Sequence, residues 1–146
     1  MSFQSLLSER VKLIKISDHS TAATSTVTSI AVDTYGYGGA LFLTSFGTAA
    51  TDNTIKVQQS SDDAATDAYS DLEGTSVASG SSDEDVWLDV IKPQKRYLKL
   101  VAARGTSSTL ESIWVLLYHP ASVPVTNSTT GTIIGEESVS PAEGTA

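Results

Sequence analysis

No stretch of eleven or more residues in this chain carries the 3.6-residue apolar period of an amphipathic helix. Short apolar or alternating segments recur instead, separated by runs of Gly, Ser, Asp and Pro. Residues 54–59 alternate, with Ile55 and Val57 on one side and Lys56 and Gln58 on the other, the pattern of a half-exposed strand. Residues 11–16, 24–32, 86–91 and 96–102 read as further strands, and 69–73 as a brief one. Residues 40–46 are apolar almost throughout, as in a strand covered on both faces, and 113–118 form the most apolar strand and therefore a central one. Tyr35 to Gly39 reads as a turn, because glycine adopts positive φ without steric cost. About eight short strands without helical crossovers predict an all-β fold, an antiparallel β-sandwich of jelly-roll or other Greek-key type.

The chain has 146 residues, enough for one domain. The expected organisation is an N-terminal arm over residues 1–10, the sandwich over 11–120, and an extended or flexible C-terminal arm over 121–146. Pro120, Pro124 and Pro141 with Gly131 and Gly135 mark the last segment. Residues 132–135 are placed to add one short strand. Met1 to Arg10 carries no long apolar stretch after a charged start, so no secretory signal is expected. Asn127-Ser128-Thr129 then fits a glycosylation sequon by coincidence. The cysteine count is zero, which removes disulfides, thiolate metal sites and cysteine nucleophiles. A formal net charge of −8 argues against binding nucleic acid, which needs cations to neutralise phosphates, and against docking on an anionic membrane.

The segment around Pro93 yields a specific expectation. Val86, Leu88 and Val90 share one side of their strand, and Leu98, Leu100 and Ala102 share one side of the next. A direct hairpin would oppose Val90 to Leu98 and Leu88 to Leu100. The same register sets Asp89 against Lys99 on the other face.

The side chains offer little acid–base chemistry, and the expectation is that the chain is not an enzyme. Histidine occurs at His19 and His119 alone. His19 follows Asp18, which in a loop beside Ser17 and Ser20 reads as a capped turn rather than an oriented imidazole. His119 precedes Pro120 and reads as a partly buried or interface residue. No G-x-S-x-G elbow and no phosphate-binding G-x-x-x-x-G-K-[ST] loop occurs. Asp62, Asp63 and Asp67 cluster, as do Asp83, Glu84 and Asp85. They read as solvated acidic loops, with a bound Ca²⁺ as the alternative, and no cofactor or metal is expected. Trp87, Trp114, Tyr97 and Tyr118 read as core or interface filling, with a sugar-binding platform as the alternative. Trp87 falls opposite Leu88, on the solvent side.

Ile55-Lys56-Val57-Gln58-Gln59-Ser60-Ser61-Asp62-Asp63 is followed by Tyr69-Ser70-Asp71-Leu72-Glu73-Gly74-Thr75. Val86-Trp87-Leu88-Asp89-Val90 and Lys95-Arg96-Tyr97-Leu98-Lys99-Leu100 come next. In these strand and turn patterns, over roughly residues 10–120, the chain resembles the small cement, or decoration, proteins of tailed-bacteriophage capsids. The resemblance implies a jelly-roll-like domain that assembles as a homotrimer on the outer surface of the virion. There it would clamp neighbouring major capsid proteins at three-fold and quasi-three-fold positions. The family supplies no catalytic residues. Its implied partners are the major capsid protein and further copies of the chain itself. Two basic groups are candidates for these contacts: Arg10 and Lys12 with Lys15, and Lys95, Arg96 and Lys99 with Lys92. Tyr97 and Trp87 complete the candidate interface. A carbohydrate- or receptor-binding sandwich of a phage tail or cell surface is the alternative reading.

Overall fold

The computed structural model describes residues 5–49, 51–105 and 107–146. Its strands run from Lys12 to Pro120 and form two packed antiparallel sheets and a two-stranded ribbon. A 3₁₀ turn at Leu7–Glu9 precedes them, closed by the Glu9 carboxylate accepting the Leu6 amide at 2.8 Å.

The first sheet contains β1 (Lys12–Ser17), β12 (Ile113–Pro120), β5 (Tyr37–Phe46) and β9 (Glu84–Ile91), in that order. The second is built around β10 (Tyr97–Ala103) and β6 (Asn53–Ser60), which pair from Tyr97↔Ser60 to Ala103↔Thr54. Short strands extend it on both sides. β3 (Val27–Thr28) and β4 (Val32–Asp33) pair with β10, while β7 (Ser70–Asp71) and β8 (Val77–Ser79) pair with β6. β2 (Ser20–Ala23) and β11 (Ser108–Leu110) form a separate two-stranded ribbon.

The pairing is nested: first strand with last, then inward to β6 with its sequence neighbours β7 and β8. That is a hairpin of long strands rolled into two sheets, the jelly-roll order. Residues 24–32 do not form one strand as expected. Ser29 takes the Leu100 backbone on both its amide and its hydroxyl, whereas the Ile30 amide turns to the Ile16 carbonyl of the other sheet at 3.1 Å. The segment therefore crosses between the sheets and splits into β3 and β4. Of the expected turn, Tyr35 and Gly36 remain, with Gly36 at φ +85°, and Gly38 and Gly39 enter β5. Residues 132–135 form no strand.

The hairpin expected around Pro93 is not formed, and this corrects its register. β9 pairs with β5, and β10 pairs with β6, β3 and β4, so the two lie in opposite sheets. The jelly-roll order demands this, because β9's partner is β5, with β6, β7 and β8 between them in sequence. The two apolar sets do meet, across the sandwich instead of side by side. Val86 of β9 and Leu98, Leu100 and Ala102 of β10 belong to one buried core with Phe42, Phe46, Ile55, Val57, Ile113, Val115 and Leu117. Leu88 and Val90 pack against it. Asp89 and Lys99 consequently sit on opposite outer surfaces.

The arm after β12 turns back over the start of the chain. The Val125 amide donates to the Glu9 carbonyl at 2.7 Å. The Asn127 side chain accepts the Leu13 amide at 2.7 Å and donates to the Ser8 and Val11 carbonyls at 2.7 and 3.0 Å. One amide side chain thus satisfies backbone groups on the free side of β1, where a sheet edge would otherwise present unpaired polar groups. Asn127, read in sequence as a chance sequon, is a structural clasp.

Candidate interaction surfaces

The candidate residues do not converge. Lys95 lies in the β9–β10 linker, Arg96 just before β10, and Tyr97 and Lys99 within it, all on the second sheet's side; Trp87 is on β9, at the edge of the first sheet. Arg10 and Lys12 lie at the other end of the first sheet, beside β1.

The cations of the second sheet are held within the chain. Lys95 meets the Asp67 carboxylate at 2.7 Å, and this contact, with the Ser61 amide, draws the Asp67 pKa down to about 2. Arg96 grips Asp33 through two parallel bonds of 2.8 and 2.7 Å, with the rings of Tyr35 and Tyr97 5.0 and 5.2 Å from its guanidinium carbon. That fork holds Asp33 below the usual carboxylate range. Lys99 sits 4.2 Å from the centre of the Tyr69 ring. Lys56 and Gln58 both reach Asp71, at 2.7 and 2.8 Å, and lower its pKa. Two cations of this candidate patch, Lys95 and Arg96, are therefore balanced by the chain's own carboxylates. Near β1, the Lys12 ammonium donates to the Thr126 carbonyl and Arg10 Nε to the Ser5 hydroxyl.

The acidic loops are also internally bonded. Asp62 accepts the Thr66 amide and hydroxyl and the Asp67 amide, and Asp63 accepts the Tyr69 hydroxyl. Glu84 accepts the Ser79 hydroxyl at 2.6 Å and the Gly80 amide at 3.1 Å. His19 lies 3.2 Å from Glu111, while Asp18 takes Lys15 at 2.7 Å, so Asp18 and His19 do not form an oriented pair. His119 adopts φ +50° and meets the Tyr118 ring edge-on.

The outer face of the first sheet is different in kind. Cross-strand pairing sets Trp87, Leu43, Trp114 and Lys15 in one row across all four strands. The next row is Asp89, Leu41, Leu116 and Leu13. Beyond it, Ile91, Gly39 and Tyr118 form a third. Gly39 is required there, because a Cβ at that position would lie 2.2 Å from the Tyr118 ring. The ring crosses above it, and its hydroxyl donates to Asp89 at 2.5 Å. Partial burial and this bond raise the Tyr118 pKa to about 12.

Both tryptophans of the chain lie on this face. Trp87 is 61% exposed, Ile91 57% and Leu43 37%, and Leu13, Leu41, Leu116 and Trp114 are half-buried. Trp87 also borders an open groove of about 740 Å³ shared with Val77 and Ala78 of β8 and with Glu84, Asp85 and Asp89. Leu13, Leu41, Leu43 and Leu116 were not singled out in sequence as an interface, whereas Trp114 was read as core or interface filling. The signal was present in the largely apolar runs at 40–46 and 113–118, which supply both faces of β5 and β12. No family model matches this chain, and no curated protein matches it.

Proposed function

We propose that this chain is a structural protein that acts by contact: a capsid cement protein, assembled as a homotrimer on the outer surface of a tailed-phage virion and stabilising contacts between major capsid proteins. The apolar outer face of the first sheet carries the reading. An extended apolar patch on a protein surface marks a site of association. Here it lies on a sandwich whose other outer face is polar and self-satisfied, so one surface is left to assemble the molecule. The capsid as the partner rests on the resemblance in the strand patterns of residues 10–120. Multiple copies on a symmetric shell make modest individual contacts effective.

The test is to mix the purified protein with capsids lacking it and image them by electron microscopy. Added density at three-fold and quasi-three-fold positions is the expected outcome. Bare capsids at saturating protein would overturn the reading. A second reading, a carbohydrate- or receptor-binding module, is favoured by one observation: exposed Trp87 beside the groove lined by Glu84, Asp85 and Asp89. It requires a monomer whose Trp87 fluorescence is quenched by a glycan.

A further inference from the structure

We propose that the free edge of β9 receives an extended strand of a partner protein, apolar on its inner side and basic on its outer side, an assignment that stands without the capsid or the homotrimer. The chain treats the two edges of its first sheet differently. Along β1, the Asn127 side chain and the returning arm take up the edge. Along β9, no strand pairs on the side away from β5 among the described residues. The Ser45 carbonyl accepts the Glu111 amide at 2.8 Å, so odd-numbered residues of β5 turn their backbone toward β12. The Gly38 carbonyl accepts the Lys92 amide at 2.7 Å, so even-numbered ones turn toward β9. In the β5–β9 register, Leu88 and Val90 then bond to β5, while Asp85, Trp87 and Asp89 present their N–H and C=O groups to the free edge. An open row of this kind is a template for a further strand.

The space beside that edge suits one. A groove of about 740 Å³ runs along β9 from Glu84 to Asp89, against Val77 and Ala78 of β8. Another of about 470 Å³ lies at Val90, Ile91 and Lys92, against Leu72 and Glu73. Both fall between the edge strand of the first sheet and the short strands β7 and β8 that border the second. Leu88 and Val90 on one lip, and Leu72 and Val77 on the other, pack against the core yet stay partly buried. Side chains of an added strand opposite Leu88 and Val90 point inward, as those residues do, and extend the core between the lips. At the second groove the Gln59 side-chain oxygen is buried and accepts no hydrogen bond among the described residues, and a strand entering there brings donors to it.

Charge selects the occupant. Glu73, Glu84, Asp85 and Asp89 line the grooves, Asp71 is offset by Lys56, and Lys92 is the one cation among the lining residues. Asp89 already accepts the Tyr118 hydroxyl, so exposed Asp85 and the exposed ring of Trp87 beside it are the groups open to a partner's cation. The chain's own segment after residue 132 has the wrong sign, with Glu136, Glu137 and Glu143. The β9 strand of a second copy would oppose carboxylates to carboxylates, and like charges directly opposed repel. A segment that alternates apolar and basic residues fits both sides: its apolar side chains enter between the lips, and its basic ones lie outside, opposite Asp85, Trp87 and Asp89.

Titrating the full chain into a fluorescein-labelled, end-blocked heptapeptide of alternating lysine and valine tests this by anisotropy. Saturable binding is expected, and the same peptide with glutamate for lysine should bind about tenfold or more weakly. Backbone pairing gives the sharper readout. Lysines opposite Asp85, Trp87 and Asp89 direct their amides to β9, and valines direct theirs away. N-methylation of the lysine amides should therefore abolish binding, whereas N-methylation of the valine amides should leave it within about threefold. Asp85→Lys should weaken binding about fivefold or more with unchanged circular dichroism, and Glu136→Lys, the same change of charge on the C-terminal arm, should not. No saturable binding, equal effects of the two N-methylations, or equal effects of the two charge reversals would each overturn the assignment of this edge. All three leave the capsid reading to its own imaging test.

Discussion

The outer face of the second sheet carries its polar groups in pairs across its strands, whereas the outer face of the first is apolar across its middle and keeps its charged groups at the rims. On the second sheet, Lys56 with Asp71, Lys95 with Asp67 and Arg96 with Asp33 cancel charge locally, and Lys99 lies on Tyr69. On the first, Leu41, Leu43, Leu116 and Trp114 occupy the positions that such pairs would take. The sandwich core is the same for both sheets, so its stability does not require this difference. A charged side chain at Leu43 would suit a monomer better. The contrast separates two uses of a sheet surface: one ends the protein at water, the other leaves it open to further burial.

The largest effect that sharpens this comparison contrasts neighbours on β5. Phe42→Ala removes a fully buried ring from the inner side and should cost about 3–5 kcal/mol. Leu43→Ala, one residue on and facing outward, should cost less than about 1 kcal/mol in the monomer. Urea denaturation of both variants measures this, and equal losses would mean that both sides of β5 are equally buried. Next, Asn127→Ala removes three hydrogen bonds at the β1 edge and should cost about 1–2 kcal/mol. Faster proteolysis of the segment after residue 121 should accompany it.

Acid should weaken the carboxylate contacts beside the second sheet. Asp67 has a folded pKa of about 2 against an ordinary 3.8. A depressed carboxylate stabilises the fold above its unfolded pKa, and that contribution disappears as pH falls from about 4 to about 2. Thermal melting across this window should show a decline that Asp67→Asn reduces, and an unchanged decline would remove Asp67 as its source. The smallest effect belongs to Lys56→Ala. Its ion pair with Asp71 is exposed, so the melting temperature should barely move, and less still in high salt.

The strand content was largely legible because most strands alternate or run apolar, and period two survives in β6, β9 and β10. Trp87 was placed at the surface by its parity against Leu88 alone. The ribbon of β2 and β11 was not legible, since Ser20–Ala23 and Ser108–Leu110 have no apolar alternation. It is tied by buried Arg104, whose guanidinium donates to the Thr21, Ser25 and Ser108 carbonyls. The β9–β10 pairing was misread for a different reason. Local register compares neighbouring segments, and in this topology neighbours occupy opposite sheets. The basic cluster at residues 95–99 looked free because its carboxylates, Asp33 and Asp67, are distant in sequence.

The closure of β1 by β12 also governs when the molecule comes into being. Lys12 pairs with Leu117, a separation of 117 − 12 = 105 residues. At synthesis rates of about 5–20 residues per second, the first strand waits roughly 5–20 s on the ribosome before its partner exists. During that interval β5, apolar on both sides, has neither of its neighbours β9 and β12 for part of the time. The nascent chain thus leaves β5 without a full set of partners until β12 emerges, and the clasp of Asn127 on β1 can close only after that.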